Sequence, residues 1–175
     1  MTTPQDQLIA RIERWKPDPV LFVWEAFGAR PWRKQREILH DLYAHRRVAV
    51  KSGHGVGKSA VFAWAMWWQL ICYDYSVICA TAPTSHQLYD ILWAEATRWG
   101  RALDPMIRDQ FKMTDQRIYL TDAKEDWFAV ARTARKEEPQ SMAGFHVNRP
   151  DRLLILCEEA SGIPEAIYED RKSVV

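Results

Sequence analysis

The sequence predicts an α/β fold: a mostly parallel sheet flanked by helices, preceded by an N-terminal helical segment. Apolar residues recur at helical spacing through the first 45 positions. Short continuous apolar runs of strand length follow, at Ser76–Thr81 and Leu153–Cys157. Strand-like and helix-like segments then alternate, which is the pattern of a parallel sheet wrapped by helices. At 175 residues and 47% hydrophobic, the chain is long enough to bury a core without disulfides.

The elements follow in order. Leu8, Ile9, Ile12 and Trp15 mark a first helix, which Pro17 and Pro19 interrupt. Asp18 can cap a second helix carrying Val20 to Phe27 and stopped by Gly28. A third begins at Pro31 and runs through Ile38, Leu39 and Leu42 toward Tyr43. A strand is expected at 47–51, then a glycine-rich loop, then a helix from about Lys58 to Tyr73. Ser76–Thr81 reads as a strand buried on both faces. Thr84 or Ser85 caps a helix through Leu88, Ile91, Leu92 and Trp99, ended by Gly100. Further strands are expected near Arg117–Leu120, Trp127–Ala131 and Leu153–Cys157. The division is a helical segment at 1–45 and a core at 46–175, with no repeat and no inter-domain linker.

Charge and cysteine content narrow the setting. A net charge of +1 is too small to hold nucleic acid by bulk electrostatics, so any DNA contact must come from local patches. Cys72, Cys79 and Cys157 sit in apolar runs without metal-ligand spacing, as reduced core thiols of a cytoplasmic protein do. The longest apolar stretch, Ala60–Cys72, is too short to span a bilayer, and the polar N-terminus has no signal-peptide core, so no membrane is expected as a partner. Trp64, Trp67 and Trp68 are read first as packing residues, with base stacking the other use open to them.

Two segments carry chemistry. The first is Val48-Ala49-Val50-Lys51-Ser52-Gly53-His54-Gly55-Val56-Gly57-Lys58-Ser59, an apolar run, a loop with three glycines, and Lys-Ser opening a helix. That is the layout of a P-loop. Glycines allow tight turns that aim N–H groups at phosphate oxygens, and the helix N-terminus adds its dipole. Ser52, Gly53, His54, Gly55, Val56 and Gly57 form the cradle; Lys58 reaches the β- and γ-phosphates and Ser59 ligates Mg²⁺. The usual pattern has glycine at position 52, where this chain has Ser52.

The second is Leu153-Leu154-Ile155-Leu156-Cys157-Glu158-Glu159-Ala160, a buried strand delivering two acids at its C-terminal end, where open α/β sheets bind ligands. Behind a P-loop, Glu158 takes the Mg²⁺ role and Glu159 orients or deprotonates the attacking water. Without one, the pair is a solvated strand end. Upstream, Gln35 carries a carboxamide that matches the N6/N7 edge of adenine, with Trp32 or Arg33 beside it to stack or brace. The residues around it equally fit a basic helix start. At Ala80-Thr81-Ala82-Pro83-Thr84-Ser85, helix capping and contact with a phosphate of DNA stand as equal readings. His40 and His45 lie on a solvated face, His54 is in the loop, and His146 reads as structural.

Together, Trp32–Gln35, Ser52–Ser59, Ala80–Gln87 and Gly144–Ile163 resemble the ATPase domain of the phage and prophage terminase large subunit, the motor that packages double-stranded DNA. The resemblance implies a P-loop NTPase of the RecA-like (ASCE) type, binding ATP and Mg²⁺. It places Gln35 near adenine, Lys58 on the phosphates, Ser59 and Glu158 on Mg²⁺, and Glu159 as the catalytic glutamate. It also implies a small terminase subunit, a portal protein and a homo-oligomeric ring as partners, with Arg149 or Arg152 as weak candidates for an arginine offered to a neighbour. The family usually has Asp at the position of Glu158 and often arginine at that of His54. It continues with further strands and a nuclease domain beyond the point reached by Val175, so the ATPase core is expected to be incomplete at its C-terminus. A helicase- or recombinase-like ATPase and a non-catalytic nucleotide-binding remnant are the alternatives.

Overall fold

The computed structural model describes residues 3–51, 53, 55–133 and 149–160. Three helices open the chain: α1 (Pro4–Trp15), α2 (Pro19–Phe27) and α3 (Arg33–Ala44). Their ends follow the local chemistry. The Thr3 hydroxyl and the Asp6 carboxylate close a reciprocal cap on α1. Asp18 Oδ1 accepts from the N–H groups of Val20 and Leu21 at 3.1 and 2.9 Å, and Gly28 ends α2 at φ +64°. The third helix begins two residues later than Pro31, because Trp32 is extended and serves as its N-cap.

Helix α4 (Lys58–Cys72) is the centre of the packing, with 11 of its 15 residues buried. Helices α1, α2, α3 and the later α5 (Ala94–Ala102) all pack against it. Its three tryptophans are core residues, as expected: Trp64, Trp67 and Trp68 are buried. Two of them also satisfy their indole N–H groups, Trp67 on the Ala96 carbonyl at 2.8 Å and Trp68 on that of Trp15 at 3.1 Å. Burying each such ring contributes on the order of 2–3 kcal/mol.

The sheet has five strands: β1 (Val77–Thr81), β2 (Phe111–Met113), β3 (Arg117–Leu120), β4 (Phe128–Ala131) and β5 (Leu153–Cys157), in the order β2-β3-β4-β1-β5. Strands β4, β1 and β5 run parallel, while β3 is antiparallel to both β2 and β4. The fold is therefore α/β with a mixed sheet, parallel at β4, β1 and β5. Ile78 and Ala80, Ala129 and Ala131, Leu154 and Leu156 join the cluster around α4, one face taken from alternate positions of three strands. Val77, Cys79, Ile155 and Cys157, on the alternate positions, are buried as well, as the continuous apolar runs foretell. All three cysteines are buried, and burial pushes the Cys72 thiol up.

Three expectations need correcting. Residues 47–51 form no strand: Ala49, Val50 and Lys51 are exposed, and the segment is absent from the sheet. A cavity of about 230 Å³ is lined by Ala44, His45 and Arg46 on one side and Leu153, Leu154 and Ile155 on the other. A ladder needs strands about 4.8 Å apart, and residues 47–51 pair with no strand of the sheet. The expected helix at 84–100 is two elements, a π-helix at His86–Trp93 continuing into α5. Gly100 does not end it. It lies inside α5, where the helix closes onto α4. The expected strand near Arg117–Leu120 is β3, but its hairpin partner β2 and the short helix α6 (Pro105–Arg108) were not expected.

A Cβ at Gly100 would lie 2.3 Å from Trp67 Cζ2 and 2.7 Å from Met113 Sδ. Alanine gains about 1 kcal/mol of helix propensity over glycine, against an overpacking cost of about 1–3 kcal/mol. The ring is fully buried, so the cost lies at the upper end. Gly100→Ala is therefore expected to lower the melting temperature by several degrees in thermal unfolding; an unchanged or raised value would show that α4 and α5 are not in close contact.

Candidate functional site

The glycine loop turns into α4 through two left-handed residues, Gly55 at φ +77° and Gly57 at φ +76°. Gly57 is the N-cap of α4, so its conformation aims the helix start. A side chain there is excluded twice, by the positive φ and by Gln35 Nε2, which would lie 2.6 Å from a Cβ. Gln35 is buried and braces this turn: Nε2 donates to the Gly57 carbonyl at 3.3 Å, and Oε1 accepts from the Trp32 N–H at 3.2 Å. One carboxamide thus ties the start of α3 to the end of the loop. Trp32 beside it is 48% exposed.

Lys58 opens α4 and arches back, Nζ donating to the Gly53 carbonyl at 3.4 Å. Ser59 follows in the first turn, half-buried, as Val56 is in the loop. Ser52 and His54 lie outside the described residues, as do His146 and the flanks of the segment 144–163.

The acidic pair stands at the C-terminal end of β5. The Glu158 N–H donates to the Thr81 carbonyl at 2.9 Å, adding one rung to the parallel ladder. This holds Glu158 in the sheet, 8% exposed, with Oε2 buried and unpartnered. Burial pushes its carboxyl above the ordinary value of 4.5; the Lys58 ammonium opposes that and the Glu159 carboxylate adds to it. Lys58, Glu158 and Glu159 therefore share one electrostatic neighbourhood, though they come from positions 100 residues apart. A buried carboxylate oxygen without a donor fits a cation, and Lys58 nearby fits phosphate. Among the described residues no cluster of three or more His, Cys, Asp or Glu could hold a metal by itself. Mg²⁺ takes one or two protein ligands plus substrate phosphates, so Glu158 and Ser59 suit it.

Glu159 adopts φ +50°, uncommon for a residue with a side chain, and is exposed. Its Oε2 accepts from Gln87 Nε2 at 2.7 Å. Gln87 had no role of its own in the sequence, although Thr84-x-x-Gln87 is a capping-box signature that could have drawn notice. Thr84 does cap: its hydroxyl accepts from the Gln87 N–H at 3.2 Å. The arginine candidates lie elsewhere. Arg149 pairs with Asp151, and Arg152 lies over Tyr73 and near Asp74. Both are at the opposite end of β5 from the acids, some 20 Å away at strand rise.

The pH dependence of stability tests the placement of Glu158. Its folded-state carboxyl holds the proton more tightly than the unfolded one, which titrates near 4.5. The fold therefore loses stability as pH rises from that value through the raised one, and the full cost is present above both. Glu158→Gln should melt above wild type near neutral pH, and the gap should close as pH falls below 4.5. A variant that melts lower at neutral pH would mean that attraction to Lys58 outweighs burial.

Among the described residues no helix is long and apolar enough to cross a membrane. No model of a known protein family matches the chain, and no curated protein matches it either.

Proposed function

We propose that the chain binds ATP with Mg²⁺ and carries the hydrolytic half of a DNA-packaging motor, the ATPase part of a terminase large subunit acting on double-stranded DNA. The observation that carries the nucleotide reading is that the Lys58 ammonium, at the end of a loop whose left-handed Gly57 opens a helix, acts on the buried Glu158 carboxyl together with Glu159. The terminase reading rests on the sequence resemblance, with its portal, small-subunit and ring partners.

The loop N–H groups and the α4 N-terminus meet the phosphates, and Lys58 leaves its 3.4 Å contact with Gly53 to reach them. Glu158 and Ser59 would hold Mg²⁺, which would supply neutralisation of charge on the phosphate oxygens. Glu159, exposed at the strand end, orients the attacking water and takes its proton as it approaches the γ-phosphate in line. Gln35 stabilises the loop and, with Trp32, forms the side on which the adenine rests.

A second reading, nucleotide binding without turnover, draws on the exposure of residues 49–51, where the strand that supports the loop was expected. Steady-state phosphate release with Mg²⁺ and DNA separates the two. Lys58→Ala is expected to weaken nucleotide binding at least tenfold. Glu159→Gln should keep the affinity and lose turnover by about 100-fold or more. Unchanged affinity in Lys58→Ala would overturn the nucleotide reading, and turnover indifferent to Glu159→Gln would favour the second.

A further inference from the structure

We propose that Gln87 is a positioning residue for Glu159, and that Thr84 sets its orientation; this rests on the hydrolytic reading above. The three form one chain of hydrogen bonds. The Thr84 hydroxyl donates to Gln87 Oε1 at 2.9 Å, and Gln87 Nε2 donates to Glu159 Oε2 at 2.7 Å. The first bond decides which way the amide faces: with Oε1 turned to the hydroxyl, the NH₂ group can only face the carboxylate.

The placement is unusual for an incidental surface contact. Gln87 and Glu159 are 72 residues apart and come from different strand ends, β1 and β5, which are in register at Thr81 and Cys157. Glu159 stands at a positive φ that only the surrounding structure sustains. Gln87 sits in the first turn of the π-helix at His86–Trp93, a winding found often at functional sites. Held by one oxygen, Glu159 keeps the other free to accept a proton from water. Without Gln87 an exposed carboxylate on a strained backbone samples several rotamers, and a displacement of about 1 Å costs on the order of 100-fold in rate.

Gln87→Leu keeps the shape and removes the donor; Gln87→Glu places a second carboxylate against the first. In steady-state phosphate release with Mg·ATP, both are expected to lower kcat tenfold or more with KM and nucleotide affinity unchanged, Gln87→Glu the more strongly. In a Glu159→Gln background Gln87→Leu should cause no further loss, since it acts only through that carboxylate. Thermal unfolding confirms that each variant is folded. Equal kcat in wild type and Gln87→Leu, or losses that multiply in the double variant, would overturn this inference and leave the hydrolytic reading standing. A wild type that binds Mg·ATP without turnover would overturn both.

Discussion

The burial of helix α4 is the constraint on which the rest of the structure depends. A helix apolar around most of its girth cannot present a face to water, so the other elements close around it: α1 to α3, α5, and the parallel strands. Its N-terminus is the only part left to the surface, and that is where Gly57, Lys58 and Ser59 stand. Packing thus delivers a positive helix end to the C-terminal edge of the sheet, where β5 ends in two carboxylates. The chemistry of the site is a consequence of where a hydrophobic helix has to lie.

Two forces then oppose each other at Glu158. The backbone rung to Thr81 draws it into the sheet, and desolvation raises the cost of its charge. Lys58 offsets part of that cost, leaving a carboxylate oxygen without a donor. A fold that maximised stability would place a neutral residue there. In the proposed function that acid serves a cation-dependent phosphate site, and stability is conceded for binding. Glu159, one residue on, escapes burial by turning into the left-handed region. Adjacent carboxylates thereby occupy different environments, which suits different roles.

Elements with strong local signals were legible in the sequence. Asp18 and Gly28 bound α2, and the runs at Val77–Thr81 and Leu153–Cys157 are strands. The failures have physical causes. Residues 48–50 are apolar and β-branched in part, but strand formation needs a partner, and none lies alongside. Gly100 carries a helix-stop signal, yet its role is close approach to Trp67, which depends on a partner 33 residues away. Strand β2, the hairpin partner of the expected β3, has three residues, too short for periodicity to register. At the site, motif context singled out Lys58, Glu158 and Glu159, and the fold places the first and last close enough to act on the Glu158 carboxyl. The clamp of Gln35 on Gly57 and the hold of Gln87 on Glu159 were not, because both are contacts of tertiary structure.

In the proposed function, the loop lysine and the strand-end acids form one Mg-dependent triphosphate site. Equilibrium titration with a non-hydrolysable ATP analogue, with and without Mg²⁺, tests it most directly. The account predicts that Mg²⁺ tightens binding to wild type and that Glu158→Gln abolishes this gain while keeping the Mg-independent affinity. Equal affinity for wild type with and without Mg²⁺ would contradict it.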